Sequence, residues 1–269
     1  MSARYAFRVL LSTALALVVG SAVYAQSQTG TKPFEPTVGQ AGKDVVWVPT
    51  PQATVNRMLD MAKVTPQDFL MDLGSGDGRT VITAAKRGAR AQGVEYNPDM
   101  VELSKRNAAA AGVSDRATFV KADLFETDFS KAQVVTMFLL PTINLRLRPT
   151  ILEMKPGTRI VSNTFTMDDW EADETSTISD DCTSWCTALL WIVPAKVEGT
   201  WQLAQGSLAL TQKFQMVSGT LGSTPITGGR LHGEEITFTA GNAKYTGRVS
   251  GSTMSGTVSG GAKWSATRR

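Results

Sequence analysis

The sequence predicts an α/β fold with a mostly parallel sheet, followed by a small all-β domain. Three observations carry this. An apolar run, Phe69-Leu70-Met71, leads through the glycine-rich Asp72-Leu73-Gly74-Ser75-Gly76-Asp77-Gly78-Arg79 into an apolar-periodic helix at Val81, Ile82, Ala84 and Ala85. Strand-like and helix-like segments then alternate as far as residue 163, the rhythm of a parallel sheet with crossover helices. From residue 200 the helical period is gone, and short alternating runs separated by glycines replace it. The 269 residues, 42% hydrophobic and 19% charged, suffice for one large and one small globular domain.

In chain order, Arg4 and Arg8 precede an apolar stretch at residues 9–19, and Val23-Tyr24-Ala25 offers a small residue for cleavage. This is the pattern of a signal peptide over residues 1–25; a bilayer-spanning helix needs roughly 20 apolar residues. The expectation is an exported, periplasmic protein with no stable membrane span after cleavage, cytoplasmic retention being the alternative. Losing Arg4 and Arg8 takes the formal charge from +3 to +1, and no lysine/arginine stripe of a nucleic-acid-binding surface is present. Residues 26–43 are polar, contain glycine and proline, and read as a linker.

The large domain is expected over residues 44–194. Thr50-Pro51 reads as a capping residue with proline at the first helical position, and Val55, Met58, Leu59 and Ala62 follow at helical spacing. Asn97-Pro98 starts a further helix that Gly112 ends. Residues 132–140 give a fourth strand, 141–153 a helix and 158–163 a fifth strand. Residues 174–178 and 187–193 complete the sheet as a hairpin. The small domain, residues 195–269, is expected to be an antiparallel sandwich or barrel. Within it Gly229-Arg230-Leu231-His232-Gly233 and Gly247-Arg248-Val249-Ser250-Gly251 share one pattern.

Alternate glycines let the backbone of the 72–79 loop approach a ligand closely. A dinucleotide fingerprint needs a further glycine three residues after Gly76, where Arg79 stands. No Gly-Lys-Ser/Thr follows to cradle phosphates either. A small nucleoside without a pyrophosphate remains. Glu95 ends the second strand, where a carboxylate can accept from both ribose hydroxyls, and Asp123 ends the third, where one can accept from an adenine amino group. Strand ends of an open α/β sheet converge on one crevice.

On Asp72 to Gly78, Glu95 and Asp123-Leu124, the chain resembles the class I S-adenosylmethionine-dependent methyltransferases over residues 44–194. With Val135 to Pro141, Arg148-Pro149 and Lys155-Pro156-Gly157-Thr158 added, it is similar to the small protein-lysine methyltransferases that include enzymes acting on the c-ring protein of ATP synthase and on the adenine nucleotide translocase. The resemblance implies a Rossmann-like seven-stranded sheet and S-adenosyl-L-methionine as cofactor. It implies cofactor-binding roles for Asp72, Gly74, Ser75, Gly76, Gly78, Glu95, Asp123 and Leu124, and a lysine side chain in a protein as acceptor.

Amide- and base-modifying relatives carry Asn/Asp-Pro-Pro-aromatic after the fourth strand, whereas this chain has Phe138-Leu139-Leu140-Pro141. A planar nitrogen acceptor is thereby disfavoured. Leu140 and Pro141 suit either a lysine stem or core packing, and Thr50 either borders the site or simply staples its helix. Methyl transfer by in-line displacement draws mainly on positioning, and no residue is singled out as a base. His232, the one histidine, sits between glycines as a turn residue. Cys182 and Cys186 in an exported chain suggest a disulfide rather than a metal site, which would need companion ligands; a pair of free thiols is the expectation for a cytosolic chain.

Export conflicts with a cofactor made in the cytoplasm. An alternative function follows from that conflict: an exported, non-catalytic nucleoside or small-ligand binding module descended from a methyltransferase, its β domain touching envelope components.

Overall fold

A computed structural model describes residues 33–269. The expected signal peptide, residues 1–25, and the first part of the expected linker lie outside the described residues. The chain begins its ordered core with α1 (Gln52–Met61), then β1 (Phe69–Leu73), α2 (Arg79–Lys86), β2 (Arg90–Glu95), α3 (Pro98–Ala110), β3 (Ala117–Lys121), β4 (Val134–Met137), α4 (Pro141–Leu152), β5 (Arg159–Asn163), β6 (Glu174–Thr177) and β7 (Thr187–Ile192). These strands form one seven-stranded sheet in the order β3-β2-β1-β4-β5-β7-β6. The pairs from β3 through β5 are parallel, and β7 runs antiparallel to both β5 and β6. The order reverses at β1, which puts a crevice at the carboxyl ends of β1, β2 and β4.

Apolar side chains bury both faces of the sheet. Val55, Met58 and Leu59 of α1 join Val81 and Ala84 of α2 and Val101 and Ala108 of α3 over one face. On the other, Ile143, Leu147 and Ile151 of α4 meet Met71, Val135, Ile160 and Trp191. Strands buried on both sides explain why β1 and β4 read as near-continuous apolar runs.

Two boundaries differ from the sequence expectation. The helix expected to be capped by Thr50 starts at Gln52 with Pro51 as N-cap and no side-chain cap bond, because Pro51 is extended (φ −54°, ψ 141°). The fourth strand is confined to Val134–Met137, since Leu140 and Pro141 turn the chain into α4.

The tail folds into β8 (Gly199–Leu203), β9 (Gly206–Lys213), β10 (Met216–Leu221), β11 (Thr224–His232), β12 (Glu235–Ala240), β13 (Ala243–Ser250), β14 (Thr253–Val258) and β15 (Lys263–Arg268). Each strand pairs with the next, and β15 returns to β8, closing an up-and-down barrel. Eight strands leave an interior that side chains fill. Trp201, Leu208, Leu231, Ile236, Phe238, Val249, Met254 and Trp264 fill it here. The two pentapeptides with a shared pattern occupy corresponding places on β11 and β13. Leu231 and Val249 are buried, and Gly233 and Gly251 take left-handed turn conformations (φ 62° and 57°).

The barrel is packed against the sheet's strand-start pole on its β5–β7 side. Ala195 N–H donates to the Gly233 carbonyl (2.8 Å), and the Phe214 ring stacks on Trp170 at 5.7 Å. Gln215 donates to the Glu171 carbonyl (2.8 Å), and Arg230 pairs with the buried Asp173 carboxylate at 2.6 Å. The crevice lies at the opposite pole.

Candidate functional site

The crevice is a solvent-open cleft of about 1050 Å³, the solvent at its mouth included. Asp72, Gly74, Ser75, Gly76, Glu95, Asp123, Leu124 and Thr50 all line it. Three residues expected at the site do not. Gly78 faces inward, where a Cβ would lie 2.7 Å from the Phe119 ring and 2.9 Å from Ser104; it is glycine for packing and for its φ of +81°. Leu140 and Pro141 stand exposed at the start of α4, outside the lining.

The glycine loop is anchored before any ligand is considered. Gly74 and Ser75 N–H groups both donate to the Val94 carbonyl (2.9 and 3.0 Å), pinning the loop to β2. The Ser104 hydroxyl donates to the Gly76 carbonyl (2.8 Å) and the Asn107 amide to that of Asp77 (3.0 Å). Arg79 holds Asp77 through an ion pair at 2.6 Å and donates to the Thr50 carbonyl at 2.9 Å. Gly76 (φ +55°) leaves room for the Trp47 indole, whose Nε1 a Cβ there would approach to 2.6 Å.

Glu95 is oriented from both sides. Its Oε2 accepts from the Gly76 N–H and its Oε1 from the Asn97 N–H, each at 2.9 Å. Each carboxylate oxygen keeps a second lone pair. Asp72 is buried and accepts the Thr136 hydroxyl at 2.6 Å. Burial pushes its carboxyl up to about 7 against that hydrogen bond, and the charges of Asp77 and Glu95 push the same way. Asp123 is held below the usual carboxylate range, first by its hydrogen bond from Lys43 and then by the Phe125 N–H.

Lys43 belongs to a segment that reads as linker in the sequence. Residues 39–47 form a tight hairpin instead: Gly39 N–H donates to the Trp47 carbonyl (2.8 Å), Trp47 N–H to that of Gln40 (2.9 Å) and Gly42 N–H to that of Val45 (2.9 Å). This strap lines the cleft, and Lys43 reaches across it to Asp123 and lies 4.9 Å from the Tyr96 ring centroid. No periodic signal marks so short a hairpin, although Trp47 just ahead of Pro49-Thr50-Pro51 is a visible apolar landmark. Beyond Thr50, Phe138 continues the cleft wall. It contacts Phe165 and Trp185 at 5.8 and 5.5 Å, centroid to centroid.

The ANTKMT methyltransferase domain family matches residues 72–174. A protein-lysine N-methyltransferase of Saccharolobus islandicus is 46% identical over 139 residues, covering 51% of this chain and 86% of that one. The chain belongs to the ANTKMT methyltransferase family. This methyltransferase is also 36% identical over 104 residues to the mouse adenine nucleotide translocase lysine N-methyltransferase, covering 38% of this chain but only 45% of the mouse enzyme. A crystal structure of an RNA methyltransferase from Salinibacter ruber with S-adenosyl-L-homocysteine is 45% identical. It covers 56% of this chain and 96% of that one, with a TM-score of 0.53. The barrel lies outside the family match.

The methyl donor is S-adenosylmethionine, and the cleft suits it. A Cβ-free loop at Gly74 and Gly76 admits close backbone approach, Glu95 offers two fixed carboxylate oxygens to a ribose, and Met100 and Leu124 supply apolar walls. The Glu95 carboxylate gives the cleft an acidic lining that suits a ligand bearing a sulfonium and an ammonium, and a cation bound beside Asp72 would favour that group's ionised form. Among the described residues no group of three or more His, Cys, Asp or Glu is placed to hold a metal ion.

Proposed function

We propose that this methyltransferase transfers a methyl group to a lysine side chain of a protein. The observation that carries the reading is the wall beyond the donor cleft: Phe138, which lines the cleft, runs into an aromatic surface, and Phe138-Leu139-Leu140-Pro141 stands where amide- and base-modifying relatives carry Asn/Asp-Pro-Pro-aromatic. The lysine-modifying names of the Saccharolobus islandicus and mouse relatives support it. A non-catalytic module finds no comparable support.

S-adenosylmethionine supplies an electrophilic methyl carbon on a sulfonium. The residues of the chain do the rest by positioning. Glu95 fixes the ribose end through oxygens already oriented by Gly76 and Asn97. The Lys43–Asp123 pair closes the strap over the cleft. The Phe138 side excludes water from the approach to the methyl carbon, and a desolvated lysine sheds its proton more readily. Alignment of donor and acceptor then accounts for most of the acceleration.

Export is part of the proposal. Residues 1–25 supply the signal pattern, and a Cys182–Cys186 disulfide suits an oxidising compartment.

The test is transfer of radiolabelled methyl groups from S-adenosylmethionine by the purified chain to envelope and cytoplasmic protein fractions and to RNA. Label on lysine, lost when the modified lysine is replaced by arginine, supports the reading. Label confined to RNA, the substrate class named for the Salinibacter ruber protein, overturns it. Terminal sequencing of the protein from cell fractions tests cleavage after Ala25.

A further inference from the structure

Phe138, Phe165 and Trp185 come from three separate segments: the end of β4, the turn after β5, and the loop between β6 and β7. Their rings form a closed triangle of contacts, 5.8, 5.5 and 5.5 Å between centroids. None is buried, and Trp185 is 38% exposed. Three mutually touching, partly exposed rings make an aromatic surface that core packing does not explain. It is continuous with the donor cleft, because Phe138 belongs to both.

Trp185 is held there at a conformational cost. Its φ is +58°, a left-handed backbone rare for a bulky side chain, and Thr164 and Asp181 nearby share the region (φ 62° and 56°). Two restraints keep it in place. The Cys182–Cys186 disulfide closes the loop around it, and the Thr54 hydroxyl of α1 donates to the Trp185 carbonyl at 3.0 Å. A cross-link spanning four residues restricts little of the unfolded chain, so its effect is on loop shape.

We infer that Phe138, Phe165 and Trp185 are the acceptor wall of the enzyme. They capture the incoming lysine as its ammonium form and seat its aliphatic stem; the ammonium gives its proton to solvent at this partly exposed wall before the neutral amine reaches the methyl carbon, and the Cys182–Cys186 bridge acts as a positioning element for Trp185. The inference rests on the lysine reading above. Aromatic faces attract ammonium groups electrostatically, and they pack equally well on a methylene stem. Specificity for an amine over a neutral group of the same shape then resides in these rings.

The experiment uses the full chain saturated with S-adenosylhomocysteine and two small probes followed by NMR. One is an N-acetyl amino amide ending in a trimethylammonium group; the other is its carbon isostere ending in tert-butyl. The charged probe is expected to bind about three- to tenfold more tightly. Trp185→Ala removes that preference while S-adenosylhomocysteine affinity by calorimetry stays within about twofold of wild type, which also reports an intact fold. Trp185→Phe retains part of the preference. The double variant C182S/C186S lowers it with donor-site affinity again unchanged. Equal binding of the two probes, binding of neither, or a preference that survives in Trp185→Ala overturns the wall. A preference undiminished in C182S/C186S overturns the positioning role of the bridge. Label on lysine without a charge preference removes the wall alone, whereas label only on RNA removes the lysine reading with it.

Discussion

The Thr136 hydroxyl on β4 donates a 2.6 Å hydrogen bond to the buried Asp72 carboxylate on the adjacent β1. That contact is too little to offset burial, and the Asp72 carboxyl is pushed up to about 7. The unfolded chain ionises the same group near 3.9. Between about pH 4 and pH 7 the native state therefore holds a proton that the unfolded state has released, and stability falls as pH rises through this window. Below it the contribution is constant. Asp72→Asn removes the dependence, so its melting temperature gains on wild type from about pH 4.5 to about pH 8, by the equivalent of up to about 4 kcal/mol. Parallel melting curves across that range would count against the assignment.

Glu95 is expected to carry the largest share of donor affinity of any single side chain. Glu95→Ala removes an acceptor for the ribose and leaves the Gly76 and Asn97 N–H groups without their partner. With hydrogen bonds to charged groups contributing about 1.5–3 kcal/mol each, S-adenosylhomocysteine affinity should drop about 100-fold in calorimetry. Circular dichroism should remain native. A drop below about threefold would move the ribose elsewhere.

Two loop glycines should fail in different ways. Gly78→Ala forces a Cβ against Phe119 and Ser104 at φ +81°. Overpacking of this kind costs about 1–3 kcal/mol, visible as a melting temperature lowered by roughly 5 °C, with donor affinity in the folded fraction little changed. Gly76→Ala instead displaces Trp47 from the cleft wall, and its first symptom should be weakened donor binding.

Lys43→Ala should weaken S-adenosylhomocysteine binding about two- to fivefold, as expected for the loss of a partly exposed ion pair, without a measurable change in melting temperature. The effect should shrink with added salt. Salt-independent weakening would indicate that Lys43 acts by packing on Tyr96 rather than through Asp123.

Deleting residues 199–269 should destabilise the methyltransferase sheet rather than release it intact. It strips Phe214 from Trp170 and Arg230 from the buried Asp173, and an unpaired buried carboxylate is costly. The full chain should melt in one calorimetric transition. Two well-separated transitions would show that the barrel and the sheet fold independently.

Local pattern makes much of this architecture legible. Asp72, Glu95 and, two residues past β3, Asp123 are legible because each follows a short strand-forming run; of these three strands only β1 is buried on both faces, whereas β2 and β3 carry exposed polar residues and are marked by their place in the strand–helix alternation. The β6–β7 hairpin lies within a residue of its expected ends. What escapes is assembly over long separations. Lys43 and Asp123 are eighty residues apart, and nothing in the polar segment around Lys43 announces a hairpin. Phe138, Phe165 and Trp185 are each ordinary when taken alone. Gly78 looks like its neighbouring loop glycines, and only the Phe119 and Ser104 side chains above it show that it serves packing. Sandwich and barrel are equally compatible with the tail, since the pairing of β15 with β8 is a register relation that no local signal contains.

Closure of that barrel has a consequence for how it can recognise anything. An open sheet offers a row of free N–H and C=O groups on which an extended segment from another protein can add a strand. Here β15 and β8 consume both would-be edges. Any molecule the barrel grips must be met by outward side chains or by the glycine turns at its rims, so its selectivity is written in residues such as Arg248 and Glu234, which pair on its surface at 2.5 Å, and not in main-chain complementarity.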